Sequence, residues 1–170
     1  MKNSLNIRPA FYDDESVIVE IINQGIVEQS NAYIEPFGWI EGANWFKDLR
    51  ESTDRLVVCE QDKQIAGWAC LSNYRGGRAA LSSVKEITFY VHSDFRRLGV
   101  ASKLIEHLEG ECEQLGNAHL AAILLSDNVG SRSLLEKHGY FVWGMFEGVA
   151  KFNGNTVGHL YMGKHINIHR

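Results

Sequence analysis

The chain has 170 residues, of which 45% are hydrophobic and 22% charged, and its formal net charge is −4. These values are typical of a globular protein with a sizeable core, so we expect a single domain over residues 1–170. The acidic balance disfavours a nucleic-acid partner, and no apolar run approaches the roughly 20 residues that a membrane-spanning helix needs. We therefore expect a cytoplasmic protein with neither a nucleic-acid nor a membrane partner.

The three cysteines, Cys59, Cys70 and Cys112, show no metal-ligand spacing, and neither do the seven histidines. Two of the cysteines lie in apolar strand-like runs and one lies on a predicted helix. We interpret them as buried, reduced thiols, and we predict that the protein binds no metal.

Hydrophobic periodicity and turn residues predict five elements in the first half of the chain. In chain order they are a strand at Leu5–Arg8, a helix from a cap at Asp13 or Asp14 to about Val27, a second helix at Ala43–Leu49, and a hairpin of strands Leu56–Glu60 and Gln64–Leu71.

The second half alternates strands and helices before a final hairpin. Its predicted elements are a strand at Ser83–Val91, a helix at Gly99–Leu115, a buried strand at His119–Leu125, a helix at Gly130–Lys137, and strands Phe141–Lys151 and Thr156–Met162 around Asn153-Gly154-Asn155. This order indicates an α/β fold, a mixed sheet of about seven strands with helices on both faces.

One segment points to a phosphorylated ligand. The strand ending at Val91 runs into a polar turn and the basic sequence Arg96-Arg97-Leu98-Gly99-Val100-Ala101, which opens the next helix. The first N–H groups of a helix lack partners within it, and the helix dipole adds partial positive charge, so such a start binds anions. An ordinary surface helix start would have the same features.

This segment resembles the pyrophosphate-binding motif of the GCN5-related N-acetyltransferases (GNAT), Arg/Gln-x-x-Gly-x-Gly/Ala, here at Arg96, Gly99 and Ala101. Similar motifs cover most of the chain. They are Ile7-Arg8-Pro9-Ala10, Glu86-x-Thr88-x-Tyr90-Val91, which is similar to the phosphinothricin-type branch, and Asn128-x-x-Ser131-x-x-Leu134-x-Glu136-Lys137-x-Gly139-Tyr140. The resemblance implies the GNAT fold and acetyl-CoA as the cosubstrate.

The resemblance implies that Glu86 is the general base, which removes a proton from the attacking amine. The alternative is a strand glutamate that faces solvent. It also implies a set of residues around the cosubstrate: backbone groups of Phe89, Tyr90 and Val91 along the pantetheine arm, Arg96, Arg97, Leu98, Gly99, Val100, Ala101 and Ser102 around the pyrophosphate, and Asn128, Ser131 and Lys137 on the later helix. For Asn128 a helix cap, and for Lys137 a solvated helix end, are the structural alternatives.

Acceptor binding is expected at Tyr33 and Phe37 in the loop that borders the acceptor pocket in this family, and at Arg78, which is suited to a substrate carboxylate. A loop pinned to the core by its aromatic residues, and a solvated arginine, are the alternatives. The chain departs from the family at Leu135, where many members place a tyrosine that protonates the leaving thiolate, and at Ser82, where a further arginine is common.

The leading hypothesis is therefore an N-acetyltransferase that acts on the primary amine of a small polar acceptor, such as an amino acid or an analogue like phosphinothricin or methionine sulfoximine. Acetylation of a protein N-terminus or a polyamine stays open, as does a non-catalytic acyl-CoA-binding module. The aromatic residues of the C-terminal hairpin, together with the habit of related enzymes, predict a homodimer.

Overall fold

The computed structural model describes residues 4–152 and 154–166, so Asn153 of the predicted turn lies outside the described residues. The helices are α1 (Glu15–Val27), α2 (Trp39–Ser52), α3 (Val100–Gln114) and α4 (Val129–Lys137). The strands are β1 (Asn6–Pro9), β2 (Thr53–Gln61), β3 (Gln64–Asn73), β4 (Val84–Val91), β5 (His119–Leu125), β6 (Phe141–Phe152) and β7 (Asn155–His165).

The seven strands form one mixed sheet in the order β1-β2-β3-β4-β5-β7-β6. β4 and β5 run parallel, and the other neighbouring strands run antiparallel. The parallel pair is connected through α3, as a parallel connection requires a crossover. The order of strands and helices is the predicted one.

The helices cover the two faces of the sheet and bury two separate apolar clusters. α1 and α2 pack on one face around Ile18, Ile21, Phe46, Trp68 and Cys70. α3 and α4 pack on the opposite face with the other core residues, among them Leu71, Leu104, Leu108, Leu120, Leu135 and Met162. Strand residues alternate between the faces, so neighbours on β4 serve different clusters.

The prediction for α2 was wrong at its first residue, because the helix begins at Trp39 rather than at Ala43. Trp39 and Ile40 are 85% and 69% exposed, so these apolar side chains do not belong to the buried stripe of the helix. The turn is instead fixed from outside the helix. The side chain of Asn23 accepts a hydrogen bond from the Phe37 N–H at 2.8 Å and donates one to the Phe37 carbonyl at 3.0 Å.

Asp14 precedes α1 as predicted, but its carboxylate does not cap the helix. It accepts two hydrogen bonds from the guanidinium of Arg8, at 2.7 and 2.9 Å, and one from the Phe11 N–H at 2.7 Å. The Arg8 guanidinium therefore holds the pKa of the Asp14 carboxyl below its usual range, and this pair ties β1 to the start of α1.

Cys59, Cys70 and Cys112 are buried free thiols. Among residues 4–152 and 154–166, no helix combines the length and the apolar character that crossing a membrane takes.

Candidate active site

The site begins where β4 and β5 separate. Their pairing is confined to Val84–Glu86 opposite His119–Ala121. Beyond that point, Ile87–Val91 and Ala122–Leu125 line a cavity of about 980 Å³. A cleft between two parallel strands that have stopped pairing leaves an extended ligand room to lie along the edge of β4.

A loop whose geometry suits an anion, called here the anion-binding loop, closes one end of this cavity. Arg97 and Gly99 adopt left-handed backbone angles, with φ of 63° and 86°, immediately before α3. The first turn of α3 follows, and the N–H groups of Val100, Ala101 and Ser102 have no acceptor within the helix. N–H groups that converge in this way at a helix start are suited to a phosphate or pyrophosphate.

Two side-chain contacts hold this loop in place. Arg96 donates to the Glu28 carboxylate at 2.6 Å, which joins the loop to the end of α1. The Ser102 hydroxyl lies 3.0 Å from Nε2 of His138, at the end of α4. Arg96 is thus partly neutralised by Glu28, and Arg97 is left to face an anion.

Glu86 lies at the other end of the cleft, at the last paired position of β4. Its side chain shares a face of the strand with those of Thr88 and Tyr90, and all three line the cavity. Burial raises the pKa of the Glu86 carboxyl. A carboxylate with a raised pKa is a stronger base than a solvated glutamate, which suits it to accept a proton near neutral pH.

A continuous series of five aromatic rings runs along the cavity, and all of them except Phe37 line it. Their centroids are 5.0 Å apart for Tyr33 and Phe37, 5.3 Å for Phe37 and Trp45, 5.9 Å for Trp45 and Trp68, and 5.1 Å for Trp68 and Tyr90. The indole N–H of Trp45 donates to the Tyr33 hydroxyl at 3.2 Å. We call Tyr33, Phe37, Trp45, Trp68 and Tyr90 the aromatic wall.

α4 completes the cavity on the side of β5. The Asn128 side chain accepts from the Ser131 N–H at 3.1 Å and donates to the Ser30 carbonyl at 3.3 Å, so the helix cap anticipated as an alternative is present. Leu135 also lines the cavity and is 1% exposed. It presents no proton donor where many family members have a tyrosine.

Every site residue predicted from the sequence lines this cavity except Leu98, Phe37 and Arg78. Leu98 is 51% exposed, and Phe37 packs behind Tyr33 and Trp45. Arg78 lies on the exposed surface, where its guanidinium donates to the Gly76 carbonyl at 3.1 Å. The described positions therefore bring together the predicted base and the cosubstrate loop, but not the arginine predicted for the acceptor.

Several polar or aromatic lining residues were not predicted to lie at the site, among them Asn31, Trp45, Trp68 and His159. Trp68 is the cross-strand partner of Tyr90, so a correct pairing of β3 with β4 would have placed it beside the site. Trp45 and His159 reach the cavity from α2 and β7, and no local motif marks either of them.

Comparison with known proteins supports the same reading. A family model described as the acetyltransferase (GNAT) family matches residues 22–140. The chain belongs to this family. It is 31% identical over 142 residues to the phosphinothricin N-acetyltransferase of Streptomyces viridochromogenes. The aligned segment covers 82% of this chain and 75% of that protein.

Two further relatives place this GNAT protein in the same branch. YwnH of Bacillus subtilis, named provisionally as a phosphinothricin acetyltransferase, is 29% identical over 151 residues, or 88% of this chain and 92% of that protein. A crystal structure given a similar provisional name superimposes with a TM-score of 0.88 at 27% identity, covering 96% of this chain and 99% of the other. The predicted GNAT fold and the enzyme class, an acetyl-CoA-dependent N-acetyltransferase, are confirmed.

Proposed function

We propose that this protein transfers the acetyl group of acetyl-CoA to the primary amine of a small acceptor, with Glu86 as the general base. The observation that carries the proposal is the position of Glu86. Its partly buried carboxylate, whose pKa burial raises, lies where β4 and β5 part, in the same cavity as the anion-binding loop.

The cavity offers acetyl-CoA two kinds of support. The left-handed turn at Arg97 and Gly99 and the first N–H groups of α3 suit the pyrophosphate. The exposed edge of β4 at Phe89–Val91 suits the extended pantetheine arm, which binds as an added strand does. An N–H near Val91 is a candidate donor to the thioester carbonyl, on which negative charge develops during attack.

The reaction balances as follows. The bound ammonium gives one proton to the Glu86 carboxylate, directly or through one water molecule. The neutral nitrogen then forms a bond to the thioester carbon, the carbon–sulfur bond breaks, and the nitrogen loses its second proton to water. CoA leaves as a thiolate and takes a proton to become a thiol. Because Leu135 cannot donate one, we assign this proton to water, which is adequate for a thiol with an ordinary pKa of about 8.5.

The names of two relatives suggest phosphinothricin, an amino-acid analogue, as a candidate acceptor. Arg78, the residue anticipated for a substrate carboxylate, points instead to its own loop, at the Gly76 carbonyl. An amino acid is therefore one candidate among small primary amines. The charged residues of the cavity are the basis for choosing between acceptors with and without a carboxylate.

The test is release of free thiol from acetyl-CoA with a panel of small amines, polyamines and peptides with free N-termini, run beside calorimetry of CoA binding. Amine-dependent thiol release with matching N-acetyl product by mass spectrometry supports the proposal. Tight CoA binding without acetylation of any acceptor would instead support a non-catalytic acyl-CoA-binding module.

We also propose that the protein forms a homodimer through β6, which is an edge strand of the sheet. Large apolar side chains of this strand are between 40% and 58% exposed: Phe141, Val142, Trp143, Met145, Phe146 and Val149. In a two-fold dimer, β6 of one copy packs against β6 of the other, and both apolar surfaces are covered. Light scattering at micromolar concentration should give twice the monomer mass for wild type and the monomer mass for Phe146→Lys; a monomeric wild type contradicts the proposal.

A further inference from the structure

The acceptor end of the cavity has a distinctive distribution of charge. Among the lining residues that α1, α2, β3 and β4 contribute, Glu86 is the one charged side chain. The cationic lining residues Arg96, Arg97 and Lys137 lie at the start of α3 and the end of α4. His159 lines the cavity from β7, two strands away from β4.

The buried ammonium of Lys85, next to Glu86 in sequence, cannot neutralise an acceptor carboxylate at this end of the cavity. Lys85 precedes Glu86 on β4, so its side chain points to the opposite face of the sheet. There its ammonium is 2.6 Å from the Asp54 carboxylate and close to the amide oxygen of Asn73. A carboxylate on the acceptor would thus be buried beside Glu86, a like charge, without a counter-ion, which is costly.

An ammonium group fits the same surroundings well. The Glu86 carboxylate attracts it, and the faces of the aromatic wall stabilise a desolvated cation. The ring series from Tyr33 to Tyr90 is an extended surface, since its successive centroids lie 5.0, 5.3, 5.9 and 5.1 Å apart. Such a surface is larger than a lone ammonium needs, and it suits a flat apolar body.

One polar atom in this wall lacks a partner. Trp68 is fully buried, it lines the cavity, and its indole Nε1 makes no hydrogen bond within the described part of the chain. An indole N–H only donates, and a buried donor without a partner costs free energy. A neutral oxygen on the acceptor is the partner that would satisfy it without bringing a second negative charge near Glu86.

We propose that the acceptor is a primary amine on an aromatic body that carries a neutral oxygen and no carboxylate, as in tyramine. The inference rests on the proposed function, because Glu86 and the aromatic wall are taken as the acceptor side of the transfer site. The ammonium lies at Glu86, the ring lies against the wall, and the neutral oxygen accepts from Trp68.

The first experiment compares acceptors with and without a carboxylate, of which L-tyrosine amide and L-tyrosine are the matched pair. Thiol release is measured with tyramine, L-tyrosine amide, L-tyrosine and phosphinothricin. The inference predicts kcat/KM for tyramine and the amide at least about tenfold above that for L-tyrosine, a modest estimate for one uncompensated buried charge. Equal or faster acetylation of the two carboxylate-bearing acceptors overturns the inference and leaves the proposed function standing, whereas no acetylation of any amine overturns both.

The second experiment tests the role of the indole N–H. Trp68→Phe keeps an aromatic ring but removes the donor. For this variant kcat/KM should fall about tenfold more with tyramine than with phenethylamine, which lacks the oxygen, by the value of one neutral hydrogen bond. A purely structural role would lower both equally and would contradict the assignment. Trp39→Phe, at a position 85% exposed, is the matched control.

Discussion

Replacing Glu86 with glutamine tests the centre of the proposed mechanism. The variant keeps the size and hydrogen-bonding capacity of the side chain but loses its basicity. No other carboxylate lines the cavity from α1, α2, β3 or β4, and Glu28 is engaged by Arg96 at 2.6 Å. The described residues therefore offer no substitute base on the acceptor side, and the amine must lose its proton to solvent before it binds.

The size of the effect follows from the fraction of neutral amine. An alkylamine with a pKa of about 10 is only about one part in a thousand neutral at pH 7. We therefore expect the rate of Glu86→Gln to fall about 10³-fold at pH 7, within the range typical for general base catalysis of about 10²–10⁴. The deficit should shrink about tenfold for each pH unit toward the pKa of the amine, because solvent then supplies the neutral form.

The pH profile of the wild type gives an independent check. Because burial raises the pKa of Glu86, the acidic limb of kcat/KM should lie above the ordinary glutamate value of about 4.3. That limb should be absent in Glu86→Gln. Above its raised pKa, the ionised and partly buried Glu86 carboxylate lowers the stability of the folded protein, and glutamine has no charge to bury. Glu86→Gln should therefore unfold at an equal or higher temperature than the wild type at pH 7.

The assay is thiol release at saturating acetyl-CoA between pH 5 and 10, with acetyl-CoA affinity measured by calorimetry and expected to be unchanged. Glu113→Gln, an exposed position in the last turn of α3, is the matched control. If Glu86→Gln acetylates at the wild-type rate across neutral pH, the base lies elsewhere or none is needed, and Glu86 is structural.

Three further substitutions test other parts of the molecule. Gly99→Glu should abolish measurable CoA binding, since it puts a negative charge against the pyrophosphate. Gly77→Glu controls for backbone strain, because Gly77 also has a positive φ and open space around it. Equal loss of CoA binding in both variants would refute the assignment of the anion-binding loop. Asp14→Asn should lower the free energy of unfolding in urea by about 2 kcal/mol at pH 7 through loss of charged hydrogen bonds to Arg8. Because the pKa of Asp14 is lowered, this difference should vanish as the pH falls through that depressed value, and a gap that persists in acid would contradict the pairing. Arg78→Gln should leave kcat/KM for L-tyrosine and tyramine unchanged, whereas a selective loss with L-tyrosine would show that this arginine binds the carboxylate.

Much of this fold is determined by local sequence. Strand alternation, helical spacing and the turn at Asp62 and Lys63 are properties of neighbouring residues, and the predicted element order matches the structure. The anion loop was predictable for the same reason, because Arg97, Gly99 and the start of α3 are contiguous. The first turn of α2 was not, because its anchor is the side chain of Asn23, distant in sequence.

The acceptor side was decided by tertiary structure. Trp45 and Trp68 come from α2 and β3 and meet Tyr90 only after the sheet has formed, so no spacing in the sequence joins them. Arg78 carries a charge that suits a carboxylate, but only the path of its loop determines that it points to Gly76 and away from the cavity. Sequence alone predicted which backbone segment is suited to a phosphate, since that requires only consecutive N–H groups. Which side chains surround the amine depends on long-range packing, and that is a property of the folded chain.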